Sequence, residues 1–589
     1  MAELNSNSNS EDAGSLPEPC LPKWEVTDLP HPKPLTWRNW TGFIGPGIVM
    51  CGMQTAGGEW LLGAEITAKY GGSLMWIALV AIVCQLFYNL ECGRYALATG
   101  EPVTTGMMRR RPGPLFWIGC LLLLNTSAFI PGLSTTAAAV VVAMIEGRPL
   151  TEADAGTVTI YAYVLLGFIT VPILFGGKIY NTMQAVFTGK VIIVLLYCFI
   201  MGILFVSAEN WGRVFSGFFK FGNVPVVRAE DTNGNGKLDA GEDFDGDGHL
   251  DVIEPAERDQ SGAIVQFEDL DGDGKWDGEN VGNVFLSLAR DGSFPLLLLS
   301  QIALIGAFAG YAGGGGLGNS LYSNYVRDKG WGMGSKVGAI PSAIGGRKLT
   351  LSHLGKVFPL TSKNLKRWHE WWKYLRADQL LVWGPGCVMG MALPALISLQ
   401  FSPHSELYHN TEPLGFNQGV IMADGIRNAP QFSAGTADLL WMMTLFVGLV
   451  VLLPSQMSII EDVCRRWTDI IWSGNRHVRE KMATHQIKRI YYSILLVYVI
   501  WSFFCAWLFT TYGKPKTMVL IIANFNNLAL GVTALLILWN NCYLLPKLLR
   551  PGWFSRLGMV ACACFYLSLA FLVFYQKQWP VLKSWFGLG

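Results

Sequence analysis

Three stretches between residues 231 and 280 carry oxygen-bearing side chains at the spacing of a calcium-binding loop. The first, DTNGNGKLDAGE, has them at loop positions 1, 3, 5, 9 and 12, with glycine at position 6. DFDGDGHLDVIE repeats the pattern at 243–254, and DLDGDGKWDGEN repeats it at 269–280 with a final Asn instead of Glu. A loop of this kind wraps about six to eight oxygens around Ca²⁺, and its glycine permits the sharp turn. The pattern predicts bound Ca²⁺, and an acidic, solvated loop is the alternative.

The predicted calcium-loop residues are Asp231, Asn233, Asn235, Lys237, Asp239, Glu242, Asp243, Asp245, Asp247, His249, Asp251, Glu254, Asp269, Asp271, Asp273, Lys275, Asp277 and Asn280. The first two copies abut without helices between them, unlike a pair of EF-hands. They look more like the tandem Asp-rich calcium repeats of extracellular proteins. Weak binding of the extracellular kind favours a structural role for Ca²⁺, and a regulatory role stays open.

Two glycine-rich stretches inside apolar segments form a second candidate site. Residues 55–65 read TAGGEWLLGAE, and residues 310–320 read GYAGGGGLGNS. When Gly71 is aligned with Gly330, the two stretches fall opposite each other. Each glycine costs a helix about 1 kcal/mol relative to alanine, and unwound backbone in a membrane is tolerated only where it is buried or lines a wet cavity. Matched breaks in two halves of a chain indicate the substrate site of an inverted-repeat transporter.

The predicted substrate-site residues are Thr55, Ala56, Gly57, Gly58, Glu59, Gly315, Gly316, Gly318, Asn319, Asn526 and Asn527. Glu59 is the predicted charged ligand and a candidate proton carrier. Close helix packing is the alternative reading of the glycines, and a structural hydrogen bond is the alternative for Glu59. Three other ionisable residues within spans are equally compatible with structural pairing and with proton relay: Glu91, Arg94 and Lys190.

The elements that hold these sites follow from the composition. The chain has 589 residues, of which 51% are hydrophobic and only 15% charged, and its mean hydropathy is +0.34. Apolar windows of about 20 residues recur, as in a polytopic helical membrane protein. Eleven spans are predicted near 41–69, 73–97, 114–145, 157–176, 183–208, 295–326, 379–400, 434–460, 490–511, 516–543 and 557–575.

Basic loops orient these spans. Arg/Lys-rich segments follow spans 2, 6, 8 and 10. The positive-inside rule therefore predicts a multi-pass protein of the cell (inner) membrane, with its N-terminus in the cytoplasm and its C-terminus outside. Within the loop 327–376, KNLKRWHEWWKYLR is either a helix lying in the inner membrane interface or a cytoplasmic helix packed on the bundle.

The predicted organisation has five parts. Residues 1–38 form a disordered cytoplasmic tail, 39–208 a first repeat, 209–292 an external acidic insertion with the calcium loops, 293–545 a second repeat, and 546–589 the eleventh span with the C-terminus.

The order of several motifs resembles the NRAMP (natural resistance-associated macrophage protein) family of divalent-metal transporters. The motifs are GPGIVMCGMQTAGGEW and AKYGGSLMW around span 1, ALATGEP after span 2, GNSLYSN in span 6 and SQMSIIEDVCRRW in span 8. The resemblance covers about residues 40–575, excluding the insertion. It implies a LeuT-type fold, in which two inverted repeats of five helices are followed by an eleventh helix.

The chain departs from the family motifs at the substrate site. Where the family has Asp-Pro-Gly-Asn in span 1, this chain has Ala-Gly-Gly-Glu at 56–59, and the family's Met-Pro-His in span 6 falls on Gly-Leu-Gly at 316–318. Soft ligands select Mn²⁺ and Fe²⁺, whereas oxygen ligands suit a hard cation such as Mg²⁺.

The resulting prediction is a secondary transporter of a cation, with Mg²⁺ favoured over Mn²⁺ and Fe²⁺ and with H⁺ or Na⁺ as the candidate coupling ion. The alternatives are a transporter of a small non-metal solute and a calcium-responsive sensor without transport. No catalytic triad or P-loop motif indicates an enzyme, and the net charge of +1 gives no indication of a nucleic-acid partner.

Overall fold

The protein is a bundle of helices. The computed structural model describes residues 21–34, 44–54, 58–175, 178–226, 257–258, 264–266, 281–292, 294–295, 297, 301–342, 350–409, 416–512, 515–579 and 583. Within them, eight helices are long and apolar enough to cross a membrane: Met75–Thr99, Glu152–Leu174, Ile179–Phe205, Ser362–His404, Ala434–Gly474, Ile487–Thr511, Leu520–Leu544 and Trp553–Gln576. They correspond to predicted spans 2, 4, 5 and 7–11, so the all-helical polytopic class is confirmed.

The other three predicted spans are interrupted helices. Span 1 consists of Pro46–Gln54, a π-helical turn at Glu59–Gly63 and Ala64–Tyr70. Span 6 consists of Ile302–Tyr311, a 3₁₀ turn at Gly316–Ser320 and Leu321–Lys329. Span 3 consists of Pro114–Leu124, a 3₁₀ turn at Thr126–Phe129 and Leu133–Glu146.

The break in span 3 differs from the continuous span predicted for 114–145. The interruption lies at "NTSAFIPG", residues 125–132. Asn, Thr and Ser bond to nearby backbone groups and compete with the helix, while proline lacks the backbone N–H that a continuing helix requires. The mean hydropathy of the segment hardly changes with these few residues, but they are enough to interrupt the helix.

The outer helices present apolar side chains away from the bundle. On span 4, Ile160, Val164, Phe168 and Val171 are 48–65% exposed at steps of three or four residues. Only 28% of the residues in the apolar window of span 4 are buried, compared with 61% in span 2. A one-sided apolar stripe that no protein covers is the surface that a lipid bilayer solvates. Span 2 therefore belongs to the centre of the bundle and span 4 to its periphery.

The Trp-rich basic segment forms the helix Ser362–Ala377, which runs through a π-helical turn at Asp378–Trp383 into the span-7 helix Gly384–Phe401. Trp368 and Trp371 are buried against protein. The helix thus packs on the bundle, as in the second of the two predicted alternatives; its cytoplasmic location stays a prediction.

The N-terminal segment 21–34 packs on this helix, whereas disorder was expected over 1–38. The strand Glu25–Val26 pairs in parallel with Lys356–Val357. The Pro30 carbonyl accepts a hydrogen bond of 2.9 Å from Trp371 Nε1, and the Lys33 carbonyl accepts one of 2.7 Å from the Tyr374 hydroxyl. These bonds use the main chain, so a polar, proline-rich composition does not reveal them.

Short elements connect the spans. The described helices between spans are Val103–Met108, Ala208–Gly217, Val284–Asp291, Gly334–Val337, Glu406–His409, Ile421–Asn428 and Arg476–Lys481, with 3₁₀ turns at Ser402–His404, Asn417–Gly419 and Lys547–Leu549. In the insertion, Asn223–Pro225 pairs antiparallel with Val281–Asn283, and Glu257–Arg258 with Ile264–Gln266. The predicted calcium loops, 231–254 and 269–280, lie outside the described residues.

Candidate functional site

The breaks in spans 1 and 6 meet at one place. A Cβ atom added to Gly58, where span 1 resumes, would lie 2.4 Å from Tyr311 Cβ, at the end of the first half of span 6. Beyond Tyr311, Gly315 and Gly316 have φ angles of 59° and 55°. L side chains rarely adopt this left-handed conformation, whereas glycine does so without steric cost. The glycines therefore serve two purposes: close approach at Gly58 and a turn in the backbone at Gly315 and Gly316.

A cavity of about 130 Å³ lies where these breaks meet. Span 1 contributes Met53 and Gln54 to its lining, span 6 contributes residues 313–315, 317 and 318, and span 10 contributes Asn526. The break in span 3 contributes Asn125 and Ser127, and span 8 contributes residues 455, 458, 459 and 462. Three interrupted helices thus surround one partly polar cavity.

The structure brings some of the predicted site residues to this cavity. Those that line it are Gly58, Gly315, Gly318 and Asn526. Gly316 lies behind Asn526, because a Cβ atom there would be 2.4 Å from Asn526 Oδ1. Thr55, Ala56 and Gly57 lie outside the described residues, as does the side chain of Glu59.

The other two predicted asparagines are buried away from the lining. Asn319 Oδ1 accepts a hydrogen bond of 3.2 Å from Gln54 Nε2, and Asn319 Nδ2 donates one of 2.7 Å to Gln85 Oε1. Asn527 Nδ2 donates to the Gly306 carbonyl at 2.8 Å. Both amides therefore hold helices together around the cavity.

Gln85 of span 2 supplies hydrogen bonds that the broken helix lacks. Its Oε1 accepts from the Gly314 backbone N–H at 2.8 Å, and its Nε2 donates to the Ala312 carbonyl at 2.7 Å. Backbone groups in the membrane must find partners within the protein. Gln85 therefore stabilises the unwound segment of span 6.

The one charged side chain among the described residues of the lining is Asp462 of span 8. Its Oδ1 accepts a hydrogen bond of 2.5 Å from Arg466 Nη2, one helical turn further along. Within the described part of the chain its Oδ2 has no partner. An ionisable residue facing a cavity inside a membrane helix is a functional candidate. Asp462 was not among the predicted site residues.

The sequence did contain a signal for Asp462. Span 8 carries two acids followed four residues later by two arginines, as E-D-V-C-R-R at 461–466, in an apolar helix. Over about two turns of that helix, Ser455, Ser458 and Asp462 lie on the face towards the cavity. Such a cluster of charges at the depth of a span is costly unless each charge has a partner or a function.

The neighbouring pair, Glu461 and Arg465, belongs to a buried network that we call the span 6–8 network. Its members are Asn324, Tyr325, Arg327 and Asp328 of span 6 and Glu461, Arg465 and Asp469 of span 8. Arg465 donates to Glu461 and to Asp328, and Arg327 donates to Asp328 at 2.7 Å and to Asp469 at 2.6 Å.

Two further bonds complete the span 6–8 network. The Tyr325 hydroxyl donates to Glu461 Oε2, and Asn324 Nδ2 donates to Asp469 Oδ2, both at 2.6 Å. Every carboxylate oxygen of the network thus accepts a hydrogen bond. This network joins the second half of span 6 to span 8.

No group of three or more His, Cys, Asp or Glu side chains that could hold a metal ion occurs among the described residues. From the described residues, a cation in the cavity would meet one carboxylate, that of Asp462, together with amide, hydroxyl and main-chain oxygens. These are hard ligands. The sulfur of Met53 is the soft atom of the described lining, and it accepts a hydrogen bond of 3.3 Å from the Tyr325 hydroxyl.

Discontinuous helices around a polar cavity are characteristic of a class of secondary transporters, and comparisons with known proteins agree with this class. No protein-family model matches the chain. Over 85 residues, 14% of this chain, it is 31% identical to the divalent metal cation transporter MntH of Chromohalobacter salexigens. The matched segment spans 20% of that relative's length.

The solved structures extend the comparison to the whole chain. The structure is similar to several structures of the manganese transporter of Eremococcus coleocola, with a TM-score of 0.55 and 12% sequence identity over 97% of this chain and 95% of that chain. The chain has the fold of this manganese transporter, in agreement with the fold that the resemblance to the NRAMP family implies. At this identity the comparison establishes the fold.

Proposed function

We propose that the chain transports a cation by alternating access through the cavity between spans 1, 3, 6, 8 and 10. The observation that carries the proposal is the carboxylate of Asp462, the one charged side chain among the described residues of a partly polar cavity. In a medium of low dielectric constant, one carboxylate attracts a cation strongly. The NRAMP-like fold, with its breaks in spans 1 and 6, supports transport as the use of that attraction.

The chemistry of the lining supports a hard cation, such as Mg²⁺, over Mn²⁺ or Fe²⁺. Asp462, Asn526 and Ser127 offer oxygen ligands, and the Ser127 hydroxyl is 2.7 Å from Asn526 Oδ1. Mg²⁺ retains several of its waters in protein sites. A cavity of about 130 Å³ has room for such a partly hydrated ion, since one water needs roughly 10–15 Å³.

Uptake into proteoliposomes tests this proposal. The purified chain should take up Mg²⁺, and a panel of Mg²⁺, Mn²⁺, Ca²⁺ and Na⁺ as competitors should rank Mg²⁺ above Mn²⁺. Imposed H⁺ and Na⁺ gradients identify the coupling ion, and Glu59→Gln tests whether Glu59 carries it. Much stronger competition by Mn²⁺ would contradict the hard-ligand assignment, and absence of flux for every cation would refute cation transport.

A small non-metal solute is the second candidate substrate, favoured by the size of the cavity and by its neutral polar groups. Counterflow with radiolabelled amino acids separates the two candidates. Exchange of an amino acid without any cation flux would replace the proposal.

We also propose that the insertion 209–292 binds Ca²⁺ on the external side of the cell (inner) membrane. This location follows from the predicted topology, in which the N-terminus is cytoplasmic. The three repeated loop sequences support this. Terbium luminescence should rise on binding to the whole protein and fall in a variant carrying Asp231→Ala, Asp243→Ala and Asp269→Ala. Unchanged Mg²⁺ uptake in that variant indicates a structural role for Ca²⁺, whereas a Ca²⁺ response without any flux would indicate a sensor.

A further inference from the structure

We propose that Arg466 is an internal counter-cation which the transported cation displaces from Asp462, and that this exchange couples cavity occupation to span 6. The inference rests on the proposed function. Arg466 is 1% exposed and lies one helical turn from Asp462. In the empty cavity its guanidinium group neutralises the carboxylate that would otherwise be buried without a partner.

Arg466 joins span 8 to the break in span 6. Its Nη1 donates a hydrogen bond of 2.5 Å to the Ser320 hydroxyl, and its Nη2 donates one of 2.6 Å to the Leu317 carbonyl. The Ser320 hydroxyl itself donates to the Leu317 carbonyl at 2.8 Å. These groups lie in the 3₁₀ turn Gly316–Ser320, directly before the second half of span 6. Arg466 is therefore in position to transmit a change at Asp462 to that turn.

The hydrogen bonding of this pair leaves room for an exchange. Asp462 Oδ2 has no partner among the described residues, and the same holds for the buried Nε of Arg466. Asp462 lines the cavity, whereas Arg466 lies behind it. An entering cation thus meets Asp462 before it reaches Arg466, and two positive charges then compete for one carboxylate at low dielectric.

The expected consequence is that a change which tightens cation binding also slows transport. With its carboxylate bound to the cation, Asp462 no longer holds Arg466, and the guanidinium keeps only its bonds to Leu317 and Ser320. Both bonds of Arg466 to span 6 remain, but Asp462 no longer fixes the guanidinium group that makes them. The turn of span 6 can then move relative to the cavity face of span 8, while the span 6–8 network still holds the second half of span 6. Without Arg466, the cation binds more tightly but no longer triggers this release.

The test measures Mg²⁺ affinity and Mg²⁺ uptake for the same whole-chain variants. Arg466→Gln should tighten the Mg²⁺ dissociation constant by about tenfold or more in isothermal titration and should lower the maximal uptake rate. Arg94→Gln is the matched control, because Arg94 forms a buried ion pair of 3.0 Å with Glu91 away from the cavity lining. The Mg²⁺ dissociation constant of Arg94→Gln should stay within about twofold of that of the unsubstituted protein.

Two further variants keep the test decisive if Arg466→Gln does not fold. Arg466→Lys retains the charge but lacks the planar fork that contacts three groups at once, so its affinity should lie between those of the unsubstituted protein and Arg466→Gln. The double variant Asp462→Asn/Arg466→Gln removes both charges and should fold without binding Mg²⁺.

Equal or weaker Mg²⁺ binding in Arg466→Gln, or in Arg466→Lys where the former does not fold, would overturn the exchange. Failure of the unsubstituted protein to bind or transport any cation would instead refute the proposed function.

Discussion

Span 8 carries two ion pairs side by side, and the contrast between them separates stability from function. Glu461–Arg465 and Asp462–Arg466 have the same chemistry and the same spacing, but successive residues of a helix point about 100° apart. The first pair belongs to the span 6–8 network, whose carboxylate oxygens all accept hydrogen bonds. The second pair borders the cavity with one carboxylate oxygen free of partners in the described chain. The two pairs thus differ in the surroundings that they face.

The largest expected effect is on the network side of this comparison. Asp328→Asn removes the carboxylate shared by Arg327 and Arg465 and leaves buried positive charge uncompensated. The free energy of unfolding should fall by about 3–5 kcal/mol, measured by denaturant unfolding in detergent. Asp438→Asn, at an exposed salt bridge, is the control and should change it by less than about 1 kcal/mol. A loss below about 1 kcal/mol in Asp328→Asn would show that the network contributes little.

On the cavity side, stability should be affected less. Asp462→Asn leaves Arg466 bonded to Leu317 and Ser320, so we expect a loss of about 1.5–3 kcal/mol in the free energy of unfolding, the range for one hydrogen bond to a charged group. The same unfolding measurement checks this value. A loss equal to that of Asp328→Asn would place Asp462 among the structural charges.

A second adjacent pair sharpens the comparison. Asn527→Ala leaves the buried Gly306 carbonyl without its donor and should cost about 1–3 kcal/mol of unfolding free energy, with an unchanged KM for Mg²⁺. Asn526→Ala removes a group of the cavity lining and should raise that KM several-fold with little loss of stability. If instead Asn527→Ala raised the KM and Asn526→Ala lowered the stability, the cavity would not be the binding site.

The smallest effect concerns an ion pair outside the spans. Burial alone would raise the pKa of Glu101, but the Arg109 guanidinium and the Gly355 backbone N–H hold it below its usual range. The folded-state pKa lies below the unfolded one, so the stabilisation is complete above about pH 4.5 and is lost as the pH falls further.

The N-terminal segment reports on this ion pair, because Arg109 also donates to the Pro22 carbonyl at 2.6 Å. Glu101→Gln should therefore modestly increase the rate of tryptic cleavage after Lys23, next to Pro22, at pH 8. The unsubstituted protein should gain no such susceptibility between pH 5 and pH 8, measured with a protease active across that range. An unchanged rate in Glu101→Gln would show that the ion pair does not hold the segment.

The sequence predicted the spans and the glycine breaks because hydropathy and glycine content are local properties. Two of the residues it named, Gly58 and Asn526, line the cavity. It did not distinguish Asn526 from Asn527, or Asp462 from Glu461, because helices buried on most sides have no apolar stripe from which a facing direction can be read. The break in span 3 was missed for a related reason: Asn125 and Ser127 are too few to lower the hydropathy of the segment. Glu59, the predicted charged ligand, remains a prediction.

The most direct test of the account compares Mg²⁺ uptake in Asp462→Asn and Glu461→Gln, normalised to the amount of folded protein in the proteoliposomes. The account predicts that Asp462→Asn folds but loses uptake by more than about 100-fold, as expected when the only charge in the described lining is removed. Glu461→Gln should reduce the yield of folded protein, while each folded molecule retains uptake within about fivefold. Normal uptake by Asp462→Asn would contradict the assignment of this cavity as the route of the cation.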